Sequence, residues 1–121
     1  MKRLTKAEEE IMQIVWKLGR CTVRDMIEQI AQTQPKPPHS TISSIARILD
    51  DKGFLDHKAY GRTYEYFATI SKEEYSKFSL KKLASDYFEG SMNRLVSFLV
   101  KEEGIDKEEL NTLLDQLEDE D

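Results

Sequence analysis

The chain of 121 residues has one cysteine, Cys21, and only two histidines, His39 and His57. A single thiol cannot build a disulfide framework, and there is no cysteine cluster for zinc. A predicted helix separates the histidines and Cys21 lies far from both, so neither a metal site nor a cofactor is expected. Long apolar runs are missing too: none approaches the ~18 residues that a membrane span needs. The opening MKRLTKAEEE lacks the apolar stretch of a secretory signal. A cytoplasmic chain with no membrane insertion is therefore expected. No Ser/His/Asp arrangement, glycine-rich phosphate loop or carboxylate pair in a plausible pocket is visible, which argues against an enzyme. Proline is scarce: all three fall within TQPKPP (33–38), which reads as a loop because Pro-Pro forbids helix.

Charge, by contrast, is abundant. The chain is 39% apolar and 34% charged, with a formal net charge of −5. An acidic balance argues at first against a nucleic-acid partner, but the charge is unevenly placed. Residues 1–70 carry 11 Lys and Arg against 9 Asp and Glu; residues 71–121 carry 7 against 14. Such asymmetry suggests two parts with different tasks, and only the first could face a phosphate backbone.

The first part reads as three helices and a hairpin. Leu4, Ala7, Ile11, Ile14, Val15 and Leu18 form one helical stripe, with Thr5 and Glu8 as a capping box and Gly19 as the stop. Thr22 with Asp25 opens a second helix whose apolar face is Val23, Met26, Ile27 and Ile30. A third helix over about 39–52 turns Ile42, Ile45 and Leu49 inward and stops at Gly53. Strand formers then predict a β-hairpin: about 54–59, a tip at 60–63, and 63–69. Three helices followed by a hairpin is the order of a winged helix–turn–helix.

From residue 71 the pattern is helical again. Ser71 with Glu74 opens a helix that runs to Gly90, and a second stripe lies between Gly90 and Gly104. Asp106 with Glu109 opens a last helix, and the terminal EDED is expected to fray. Three amphipathic helices in about fifty residues bury too little surface to stand alone easily, and a second copy of the chain is the simplest remedy. The expected dimer contacts are Phe88, Met92, Leu95, Val96, Leu99, Leu110, Leu113, Leu114 and Leu117. The fold class is thus mainly α with a small β-hairpin wing: a winged-helix domain over 1–70, expected to bind DNA, and a helical dimerisation region over 71–121.

The third helix carries the sharpest chemical signal. Ser40, Thr41, Ser43, Ser44 and Arg47 are short hydroxyls plus one guanidinium. Hydroxyls reach phosphates and base edges when a helix lies in the major groove, and Arg grips guanine. A solvated face that served solubility alone would more often be Glu and Lys, which are better helix formers than Ser and Thr. Arg62 at the hairpin tip, with Lys58 nearby, suits a wing that touches the backbone or minor groove. Lys52 could contact phosphate or complement the dipole of the third helix.

In order and with compatible spacing, residues 4–71 resemble the penicillinase-repressor (BlaI/MecI/CopY) family. The resemblance rests on Leu4-Thr5, Glu8–Glu10, Val15-Trp16, Thr22-Val23, Thr41 and Ser44, Lys52-Gly53 and Gly61-Arg62. EGSMNRLVSFLVKEEGIDKEELNTLLDQL extends it, more weakly, into the family's dimerisation region. The resemblance implies a homodimeric transcriptional repressor whose third helices dock in the two halves of a palindromic double-stranded DNA operator. In the best-studied branch a membrane sensor protease responds to β-lactam and the repressor is cleaved. Here the cleavage position falls near Phe98-Leu99 without the usual asparagine, so neither cleavage nor a sensor protease is predicted. The family's arginine late in the third helix falls on Ile48, with Arg47 one place earlier, a rotation of about 100°. The copper branch's C-terminal cysteine cluster is absent. Apart from the resemblance, the small basic excess of residues 1–70 leaves one alternative: a winged-helix module that binds a protein partner and not DNA.

Overall fold

A computed structural model describes residues 1–104 together with 106, 108, 109 and 112. The chain orders as α1 (Lys6–Leu18), β1 (Arg20–Cys21), α2 (Val23–Ala31), α3 (His39–Asp51), β2 (Leu55–Tyr60), β3 (Thr63–Ala68), α4 (Lys72–Tyr87) and α5 (Met92–Glu103). It divides into two units, Met1–Lys72 and a second that begins at Glu73.

The first two helices begin as their sequences dictate. Thr5 Oγ1 accepts from Glu8 N at 3.2 Å while Glu8 Oε1 accepts from Thr5 N at 2.9 Å. Thr22 and Asp25 repeat the exchange at 3.2 and 2.9 Å. Each box satisfies two backbone donors that a helix start otherwise leaves without partners. The third helix has no side-chain cap: Pro38 holds the N-cap position and fixes an extended entry.

The core of the first unit is drawn from all three helices and the hairpin. Ile11, Met12 and Val15 of α1, Met26 and Ile27 of α2, Ile42, Ala46 and Leu49 of α3, and Phe54, Leu55 and Tyr66 are all buried. The buried stripe of α1 is centred on Glu8. It therefore includes Met12, and leaves Ala7 and Leu18 exposed on its flank at ~100° per residue. On α3, Ala46 is fully buried and Ile45 only half-buried, a shift of the inward face by one position.

The β-structure is larger than the hairpin expected from sequence. β1 pairs antiparallel with β3 through Arg20↔Phe67 and Cys21↔Tyr66, giving a three-stranded sheet in the order β1-β3-β2. Two residues are too few for alternation to announce a strand. The β2–β3 register runs from Leu55↔Ala68 to Tyr60↔Thr63, with Gly61-Arg62 as a two-residue turn. Gly61 takes φ +62° and Arg62 a negative φ, the arrangement in which glycine leads the turn and the strands keep their twist.

Two polar contacts lock the unit. Trp16 Nε1 donates to the carbonyl of Ile70 at 2.8 Å, pinning α1 to the chain leaving β3. Lys52 Nζ donates to both carboxylate oxygens of the buried Glu8 at 2.8 and 2.9 Å, tying the end of α3 to α1. Burial alone would raise the Glu8 carboxyl. The hydrogen bonds from Lys52 and Thr5 outweigh it and hold the group below its ordinary value. Cys21 is buried, and desolvation, with Asp25 and Glu65 nearby, pushes its thiol up to about 11, leaving it inert.

In the second unit α4 and α5 are joined by a tight turn, with Glu89 and Gly90 both at positive φ. Ser91 caps α5 by accepting from Arg94 N at 3.1 Å. Tyr75, Ala84 and Leu95 are buried, and the rings of Phe88 and Phe98 meet at 5.5 Å.

Candidate nucleic-acid interface

The outward arc of α3 follows from its inward one. With Ile42, Ala46 and Leu49 buried, Ser40, Thr41, Ser44 and Arg47 are exposed and Ser43 is half-buried. Beside this arc lies an open groove of about 760 Å³, lined by Thr22, Val23 and Arg24 at the start of α2, His39, Ser43 and Arg47 of α3, and Gly61, Arg62, Thr63, Tyr64 and Tyr66 of the hairpin. Three arginines from three separate segments converge here with a histidine, and none of the lining residues is acidic. Among the described residues Arg47 and Arg62 form no ion pair, while Arg24 meets Glu28 at 3.5 Å in an exposed i,i+4 pair. Such a pair is weak and readily exchanged for another anion.

Tyr64 and Tyr66 of the groove lining pack against other rings. His57 stacks on Tyr64 at 4.2 Å between centroids, and Tyr64 meets Tyr66 edge-on at 6.3 Å. His57 Nδ1 also contacts Asp50 Oδ2, which joins the end of α3 to the hairpin. Burial raises the Tyr66 hydroxyl, and the charge of Asp50 adds to the effect while Arg47 opposes it. Candidate ligand atoms of Asp50, Asp56 and His57 lie within 4.8 Å of one another, a grouping the sequence did not suggest. Asp50 is already engaged by the His57 ring, and Asp56 Oδ1 accepts from His57 N at 2.7 Å. The group is thus met by its own hydrogen bonds.

The structure sorts the sequence-predicted residues. Ser43, Arg47 and Arg62 come together in the groove, and Ser40, Thr41 and Ser44 lie on the exposed arc next to it. Lys52 is turned away to Glu8, with its side chain 27% exposed. Lys58 pairs across from Glu65, on the opposite face of the hairpin from the Ala59↔Tyr64 and His57↔Tyr66 pairs, and its ammonium lies 5.4 Å from the Tyr60 ring. Arg24, His39 and Tyr64 were missed. A clue to Arg24 existed: two places after the Thr22 N-cap, it is carried on the positive end of a helix. Of the expected dimer contacts, Phe88, Met92, Val96 and Leu99 are half-buried. Leu95 is only 3% exposed in the single chain. Leu110, Leu113, Leu114 and Leu117 lie outside the described residues. Exposed Leu83, Tyr87 and Phe98 were not among the expected contacts.

Comparison with known proteins shows the family. The sequence model of the penicillinase repressor family covers residues 4–119. The chain belongs to that family. It is 24% identical over 117 residues to the penicillinase repressor of Bacillus licheniformis, covering 97% of this chain and 91% of that protein. It is 26% identical over 110 residues to the methicillin resistance regulatory protein MecI of Staphylococcus aureus, covering 91% and 89%. The solution structure of monomeric Bacillus licheniformis BlaI in complex with the blaP half-operator aligns with a TM-score of 0.50 at 27% identity, over 61% of this chain and 89% of that one. This family member shares the winged-helix fold, with three helices and a three-stranded antiparallel sheet in its first unit. Its family consists of transcriptional repressors and not enzymes, and no described helix is long and apolar enough to cross a membrane.

Proposed function

We propose that this chain is a homodimeric, sequence-specific repressor that acts on DNA in the cytoplasm. Each protomer lays α3 in the major groove of one half of a palindromic operator. Ser40, Thr41, Ser44 and Arg47 read base edges, and Arg62 at the hairpin tip and Arg24 at the start of α2 grip phosphates. The observation that carries this reading is the groove: Arg24, Arg47, Arg62 and His39 converge without an acidic neighbour in its lining, on a chain whose formal net charge is −5. A cleft lined by charge of one sign focuses its field outward, which favours a polyanion even on an acidic protein. The second unit supplies the dimer contact through its exposed apolar residues Leu83, Tyr87 and Phe98.

The test is to recover fragmented host DNA with the purified protein and sequence it. Enrichment of one palindromic site is the expected result. No enrichment above background at low salt overturns the reading in favour of a protein-binding module.

A further inference from the structure

Ile48 stands apart from its neighbours. It is 45% exposed on the outward arc of α3, where every other exposed residue is a hydroxyl, a histidine, an arginine or an aspartate. Thr41, Ser44 and Ile48 follow at i, i+3 and i+7, so they share one stripe of the helix surface. That stripe lies beside the one formed by His39, Ser43 and Arg47, which lines the groove toward the hairpin. An isolated apolar side chain is ordinary elsewhere on a protein surface. On this arc it requires a reason. Isoleucine is a poorer helix former than the Glu or Lys that a solvated position would hold, and its exposed surface gains nothing from the core.

A duplex supplies one apolar feature in the major groove, the C5-methyl group of thymine. A β-branched side chain is stiff at χ1, so its methyl groups are presented in one arrangement with little entropy left to lose. We infer that Ile48 is a specificity-determining residue that packs against a thymine methyl group in each operator half-site. This rests on the DNA-binding reading above and deepens it. Arg47 and the hydroxyls make the polar readout, while Ile48 adds a position at which thymine is preferred because only thymine carries a methyl group there.

The experiment uses the full chain and a duplex that it selects from a random-sequence library. Each thymine is replaced in turn by deoxyuridine, which removes the methyl group and leaves the pairing edge intact. Loss of one buried methyl corresponds to about fourfold in affinity per half-site. One thymine per half-site is expected to show that loss with the native protein. Ile48→Ala, a change at an exposed position to a better helix former, is expected to bind more weakly and to be indifferent to uridine at that thymine. Ile48→Arg is expected to move the preference there from thymine toward guanine. Should the native protein select no duplex, the DNA reading itself fails. Should it select one whose thymines all tolerate uridine, or should Ile48→Ala keep the native uridine profile, the role of Ile48 is refuted and the DNA reading stands.

Discussion

Replacing Arg62 by alanine probes the electrostatics of the groove most directly. Arg62 sits in the two-residue turn at the hairpin tip, exposed, and forms no ion pair among the described residues. Its removal therefore leaves no buried partner behind and costs the fold little. In a dimer the substitution deletes two phosphate contacts. Each contact contributes about −0.9 to the slope of log K against log salt, so the slope becomes shallower by about 1.8. Between 50 and 200 mM salt the native protein's advantage over the variant then shrinks by about tenfold. Fluorescence anisotropy with a labelled operator at four or five salt concentrations measures both slopes. Equal slopes would refute the assignment of Arg62 to phosphate, whatever the absolute affinities. Lys52 provides the contrast. Its ammonium is held by Glu8 at 2.8 and 2.9 Å, so Lys52→Met should lower stability and leave the slope in place.

Arg47→Ala should cost about 1–3 kcal/mol on the selected operator and relax the preference at one base pair. Competition between matched and singly mismatched duplexes reads that change, and uniform weakening across sequences would reassign Arg47 to phosphate. The Glu8–Lys52 pair should impose an acid limit on stability. Glu8 is held below its ordinary 4.5 in the folded state, so its contribution is complete above that value and disappears as the pH falls below it. Urea denaturation should show Glu8→Gln about 1–3 kcal/mol less stable at neutral pH, with the gap closing in acid; a gap independent of pH would show that packing and not charge is at stake. Leu83→Glu combined with Phe98→Glu should yield folded monomers in sedimentation velocity and weaken operator binding by roughly a hundredfold or more. A double variant that remains dimeric places the interface elsewhere. Leu95 is unsuited to this test, because it is buried and a charge there would unfold the unit first.

Much of the architecture was legible in the sequence because it is governed by short-range rules. The capping pairs Thr5/Glu8 and Thr22/Asp25 act over three residues, and both occur in the structure as read. Helical stripes and the glycine-led hairpin turn are equally local, and they were enough to give the element order of a winged helix. The strand at Arg20–Cys21 was not legible, since a two-residue strand exists only because β3 offers it a ladder. The fates of the lysines were also hidden. Lys52 and Lys58 read as cations beside a recognition helix, yet one meets a carboxylate 44 positions away in sequence and the other faces the far side of the hairpin.

The sequence by itself thus determined which of the described segments are helical, where the capped ones start, and that residues 1–70 of an acidic chain carry a small basic excess. Only the tertiary structure decided which charges face outward together. Arg24, Arg47 and Arg62 belong to three elements, and their convergence depends on how α2, α3 and the hairpin pack around Met26, Leu49 and Leu55. Periodicity reports the side of a helix that is buried, because burial follows from local spacing. The neighbours a side chain meets on its exposed side are set by long-range packing, which local spacing does not encode.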